Sequence, residues 1–182
     1  MEGQPQAFGA VQLGGAMEEI LQRRAESLAA EQEEQVVEDL LSILLFTVSD
    51  EWYAVTIDAV REIYNEYVVT PIPCVPTFIL GVINIRGEII SVTDIRQLLR
   101  LPASEGEIQA PVIVVENGLC ATALLMDRIG DIVDIPRESV EPPVSTLDKS
   151  QTAFVAGSVY LEGRLVGLLN LDEVLAPIGA EA

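Results

Sequence analysis

Histidine does not occur in the 182-residue sequence, and only 10 residues are Lys or Arg against 29 Asp and Glu. Without histidine there is no Ser–His or Cys–His nucleophile pair, no phosphorelay histidine and little scope for zinc. The formal charge of −19 repels phosphate backbones and anionic lipid, so neither nucleic-acid binding nor direct membrane insertion is expected. Cysteine is scarce too. Cys74 and Cys120 stand far apart and read as reduced, partly buried thiols of a cytoplasmic protein. No apolar run is long enough to span a bilayer, and no basic-then-apolar leader opens the chain. P-loop, GxGxxG, GxSxG and calcium-loop patterns are missing, and no cluster has metal-ligand spacing, so no cofactor and no metal are expected.

What is plentiful is aliphatic. Hydrophobic residues make up 49% of the chain and aromatics only 5%, so Val, Ile, Leu and Ala must build the core. That suits one ample core or two small subdomains. Residues 1–16 are small, glycine-containing and unpatterned, and read as a disordered lead-in. Residues 17–41 lack Gly and Pro and carry a narrow stripe at Ile20, Leu21, Arg24, Leu28 and Ala29. This predicts a helical N-terminal extension, either solvated and marginal or folded on a partner or on the body of the protein.

From Ser42 the period shortens. "SILLFTV", "WYAVTI", "REIYNEYVV", "FILGVINIR", "EIISVTDI", "PVIVVEN", "LCATALLMD", "IGDIVDI", "AFVAGSVYLE" and "RLVGLLNL" are β-rich runs separated by turn signals. Residues 70–78, with Pro71, Pro73 and Pro76, must be an extended, stiff connection. Short helices are predicted only at Asp94–Arg100 and Leu171–Leu175. An all-β fold of small barrels or a sandwich follows.

An internal repeat sharpens this. "YAVTIDAVREI" from Tyr53 aligns with "TALLMDRIGDI" from Thr122 at an offset of 69, and "GVINIRGEIISVTDIRQLL" from Gly81 aligns with "GSVYLEGRLVGLLNLDEVL" from Gly157 at 76. Two halves on one plan, each too small to bury its surface alone, should share an apolar seam. Gly87 and Gly163 both mark tight hairpin turns. The first half reads "NIRG" where the second reads "YLEG". The turn needs its glycine, but neither Asn84 nor Arg86 is needed for folding, so this difference points to function.

Paired carboxylates (Asp58 with Glu62, Asp127 with Asp131) offer an acid–base alternative, an acidic β-barrel enzyme using Asp58, Glu62 or Asp131. Their recurrence at matching repeat positions reads as structural instead. A Glu62–Arg86 pair has two open readings. It is either a surface ion pair worth about 0–1 kcal/mol, or an arginine fork held by a glutamate and presented to a partner. A purely structural homo-oligomer is a third option for the chain.

"VREI" (60–63), "TPIPCVPTFILGVINIRGEIISVTDIR" (70–96), "ALLMDRIGDIVDI" (123–135) and "GRLVGLLNLDEVL" (163–175) together resemble the CheW family of chemotaxis coupling proteins over about Ser42 to Pro177. The resemblance implies a mainly β fold: two tandem five-stranded SH3-like β-barrel subdomains, roughly 42–108 and 109–177, sharing an apolar interface, with short helices besides. It implies a stand-alone, non-enzymatic adaptor with no catalytic residue. Such an adaptor couples the cytoplasmic tips of membrane chemoreceptors to the regulatory domain of a histidine kinase, and associates with further copies of itself in array rings. A scaffold of a chemotaxis-like pathway for pili or development is the alternative within the family. The partner-binding residues carried over are Glu62, Asn84 and Arg86, with Val60 and Gly87 beside them, and a groove between the subdomains would take an apolar receptor helix.

Overall fold

Strands that are apolar on both faces organise this chain. In β1 (Leu40–Val48), Leu41 and Ile43 enter one hydrophobic cluster while Leu44, Phe46 and Val48 enter another. Successive side chains of a strand point to opposite faces, so a run such as "SILLFTV" serves two cores at once. The same division recurs in β2 (Glu51–Thr56), where Ala54 faces away from Tyr53 and Val55, and in β6 (Val112–Glu116), where Val112 and Val114 face away from Ile113 and Val115.

The computed structural model describes residues 21–24, 39–102, 110–143 and 149–179. The chain divides into units 1–38 and 39–182. In the first unit the described residues form one exposed helical turn, 21–24. The lead-in expected at 1–16 and most of the extension expected at 17–41 lie outside the described residues. One boundary is corrected: the extension does not reach residue 41. Leu40 and Leu41 already pair with Pro136 and Ile135, and Leu41 is buried, so the strand ladder claims them.

The second unit holds two five-stranded sheets. The remaining strands are β3 (Val60–Tyr64), β4 (Ile79–Ile85), β5 (Glu88–Asp94), β7 (Ala121–Leu125), β8 (Arg128–Pro136), β9 (Val155–Leu161) and β10 (Arg164–Leu169). The first sheet runs β8-β1-β2-β10-β9 and the second β3-β6-β7-β5-β4. Short helices α1 (Ile95–Leu99), α2 (Lys149–Thr152) and α3 (Leu171–Gly179) complete the unit; α2 has no counterpart in the sequence reading.

The mainly β fold with two five-stranded sheets agrees with the sequence, but the halves 42–108 and 109–177 are not the two sheets. The repeat equates β1 to β5 with β6 to β10, and each sheet takes two leading strands from one half and three trailing strands from the other. The chain crosses over at Ile57–Ala59 and returns near Met126–Asp127. Equivalent strands offer the same hydrogen-bonding edges, so exchanging them satisfies both ladders equally; the parallel pairs β2–β10 and β5–β7 are that exchange.

Each sheet has its own interior, with Ile43, Ile135 and Val166 in the first and Ile83, Val92 and Val114 in the second. Between them lies the larger shared cluster, centred on Phe46, Val55, Ile95, Leu99, Leu124 and Val174. A polar stitch reinforces one side of this seam. Asp94 caps α1 and accepts from Arg96, whose Nη1 also meets Asp127 Oδ1 at 3.3 Å, while Asp127 Oδ2 accepts from the Ser49 backbone N–H at 2.6 Å.

Candidate partner-binding site

The outer strands of the second sheet are β3 and β4, and side chains bridge the gap between β3 and the β4–β5 hairpin. Ile85 pairs with Glu88, leaving a two-residue turn in which Arg86 (φ 52°) and Gly87 (φ 88°) are both left-handed. Such a turn matches the twist of the flanking strands. It requires the left-handed backbone at its first position too, at a cost of about 1 kcal/mol for a residue bearing a Cβ. Glu162 takes the same conformation (φ 49°) in the repeated hairpin. The backbone at residue 86 is thus dictated by the turn; the guanidinium on it is not.

Asn84 is not neutral to folding, contrary to the sequence reading. Its Oδ1 accepts from the Gly87 backbone N–H at 2.9 Å and so ties down the turn. Val60 is half-buried and packs against the shared cluster, where it seats β3 and contributes little surface.

Glu62 and Arg86 meet, Oε1 to Nη1, at 2.8 Å; the arginine side chain is 78% exposed and the glutamate 33%. The other carboxylate oxygen, Oε2, accepts from the Tyr64 hydroxyl. Alongside, Arg61 forms a fork on Glu88 at 2.8 and 3.1 Å and approaches Glu116 at 3.4 Å. A register shift against β6 between Val60 and Glu62 breaks the alternation there, and consecutive residues 61 and 62 both reach the same hairpin. The hydrogen bond from Arg61 holds the Glu88 carboxyl below its ordinary pKa and lifts that of Arg61. The Tyr64 phenol is pushed up, chiefly by its bond to Glu62.

Sequence reasoning missed Arg61, Tyr64 and Glu88, and also two exposed isoleucines: Ile63 beside Glu62 on β3, and Ile89 opposite Asn84 on the hairpin. The signal for Arg61 and Glu88 was present in "VREIY" against "RGEI", each with one arginine and one glutamate in a chain poor in cations.

An apolar pocket of about 120 Å³ lies among Ile72, Val75, Phe78 and Ile79 of the proline-rich connection and β4, closed by Pro177 of α3. It has room for one apolar side chain, not for a helix. Cys74, expected partly buried, is exposed on this connection, and Cys120 is half-buried; both are free thiols. Its location in a proline-rich surface segment leaves Cys74 nothing to pack under.

Asp58 is exposed on the crossover and Asp131 on β8 of the first sheet, while Glu62 is engaged on the second. Spread over three elements in contact with solvent, they form no shielded acid–base pair. Asp127 is held by Arg96 and Ser49. Among the described residues no helix is long and apolar enough to cross a membrane.

A family model described as a CheW-like domain matches residues 42–178. The chain is 31% identical over 140 residues to the chemotaxis protein CheW of Rhizobium meliloti (strain 1021), covering 77% of this chain and 90% of that one. It is 26% identical over 164 residues to the chemotaxis protein CheW of Helicobacter pylori (strain ATCC 700392 / 26695), covering 90% and 98%. The crystal structure of the scaffolding protein TtCheW from Thermoanaerobacter tengcongensis superposes with a TM-score of 0.65 at 30% identity, covering 71% of this chain and 88% of that one.

Proposed function

This chain belongs to the CheW-like domain family, and on that premise we propose that it joins the cytoplasmic tip of a chemoreceptor to the regulatory domain of a histidine kinase. As a member of that family it serves as a chemotaxis scaffold or adaptor. The mechanism needs no catalytic step. Two bound partners influence each other through a shared framework, so the effect of the adaptor is a coupling free energy between them.

One observation carries the reading. In a chain with a charge of −19, an arginine is placed on a hairpin tip, held by a glutamate at 2.8 Å and left 78% exposed. A planar guanidinium with donors to spare is suited to a carboxylate or carbonyl edge on a partner. The exposed Ile63 on β3 and Ile89 at the start of β5 supply apolar surface that such anchors commonly require. The pocket closed by Pro177 would receive an apolar side chain of the receptor helix.

The test is co-sedimentation with a chemoreceptor cytoplasmic fragment and a histidine kinase from the same organism, with kinase activity read alongside. Wild type should assemble and Arg86→Glu should not, although both fold alike. Equal assembly by the two proteins would remove Arg86 from the contact surface.

A further inference from the structure

We infer that Tyr64 is a positioning residue for Arg86, acting through Glu62 and touching no partner itself; the inference rests on the adaptor reading above. Three side chains form a relay from the barrel interior to the surface. The Tyr64 ring packs against the second sheet's cluster of Ile83, Ile90 and Val92. Its hydroxyl donates to Glu62 Oε2, and Glu62 Oε1 holds Arg86 Nη1 at 2.8 Å.

An exposed arginine on a two-residue turn would otherwise sample many rotamers. A single glutamate does not remedy that, because an exposed ion pair is weak and its carboxylate also rotates. Tyr64 alters the situation. Its ring is fixed by packing and it has two χ angles, so bonding one carboxylate oxygen orients the other toward Arg86. Ordering the fork beforehand removes a cost otherwise incurred on binding. The raised phenol pKa of Tyr64, caused first by the Glu62 bond, agrees with this geometry. The repeat supports it as well. At the offsets given above, Val133 stands where Tyr64 does and Glu162 where Arg86 does. The second copy therefore has neither the hydroxyl that starts the relay nor the guanidinium that it delivers.

Tyr64→Phe keeps the ring in its seat and deletes only the hydroxyl. Assembly with the receptor fragment and kinase should weaken about three- to tenfold, the cost of ordering one long side chain, with unchanged thermal melting. In an Arg86→Ala background the same change should have no further effect. Without partners, the Arg86 Nη1 protons, which face Glu62, should exchange with water faster in Tyr64→Phe and in Glu62→Gln alike. If Tyr64→Phe assembles like wild type while Arg86→Ala does not, the positioning role is wrong and the adaptor reading stands. Additive losses from Tyr64→Phe and Arg86→Ala would make Tyr64 an independent contact and also overturn the inference. If Arg86→Ala itself assembles normally, the contact reading fails and the inference fails with it.

Discussion

Gly81 and Gly157, 76 positions apart, each lie where an added Cβ would strike a backbone carbonyl: Thr70 O for the first and Glu141 O, at 2.8 Å, for the second. Thr70 and Val82 exchange two backbone hydrogen bonds, and so do Glu141 and Ser158. These bridges bring the segment after β3 onto β4, and the segment after β8 onto β9, so each barrel is closed at the same place. The repeated glycine is a consequence of closure.

Gly81→Ala should therefore destabilise the fold by about 3 kcal/mol or more, because a backbone carbonyl cannot yield as a flexible side chain can. Urea unfolding measures it. A loss below about 0.5 kcal/mol, the ordinary range for a harmless substitution, would mean that the bridge at Thr70 is not needed.

Phe46 is fully buried in the cluster shared by the two sheets. Phe46→Ala should cost about 3–5 kcal/mol, and both barrels should still melt in one transition because the seam belongs to both. Two separated calorimetric transitions in the wild type would show that the seam does not couple them.

The stitch at Asp94, Arg96 and Asp127 is mostly buried, with side-chain exposures of 13–25%. Arg96→Ala removes the cation shared by two carboxylates and should cost about 2 kcal/mol. Arg96→Lys should recover only part of that, since one ammonium replaces a fork that reaches both partners. Denaturant midpoints of the two variants decide it. The repeat has no such stitch on the opposite crossover: Asp58 and Asp172 stand where Asp127 and Arg96 do.

The pair Arg61–Glu88 makes stability pH-dependent with a definite sign. The folded Glu88 carboxyl lies below its ordinary value of 4.5, so its contribution is complete above the unfolded value and is lost as pH falls through the folded one. Arg61 remains charged throughout. The stability difference between wild type and Glu88→Gln should be constant near neutrality and shrink below about pH 4.5. A difference that persists unchanged to about pH 2, below the carboxylate range, would count against an ionised Glu88 as the source.

Much of this was legible in the sequence because it is local chemistry. Short β-branched and aromatic runs such as "WYAVTI" and "PVIVVE" mark strands, Arg86-Gly87 and Glu162-Gly163 mark turns, and the pairing of Glu62 with Arg86 follows from few cations and neighbouring runs. The relay from Tyr64 was not legible, since nothing in "VREIY" says that the register slips at Val60 and brings Arg61 and Glu62 to one hairpin. Nor was the role of Asn84, whose side chain turns back on Gly87.

By itself the sequence determined which segments are strands, that two equivalent sets exist, and that a lone arginine marks one hairpin. Only the tertiary structure decided which strands pair. Strand character depends on neighbours two residues away, but pairing depends on edges that the repeat makes interchangeable. The chain resolved that degeneracy by exchanging its trailing strands, and so placed the largest hydrophobic cluster between the barrels.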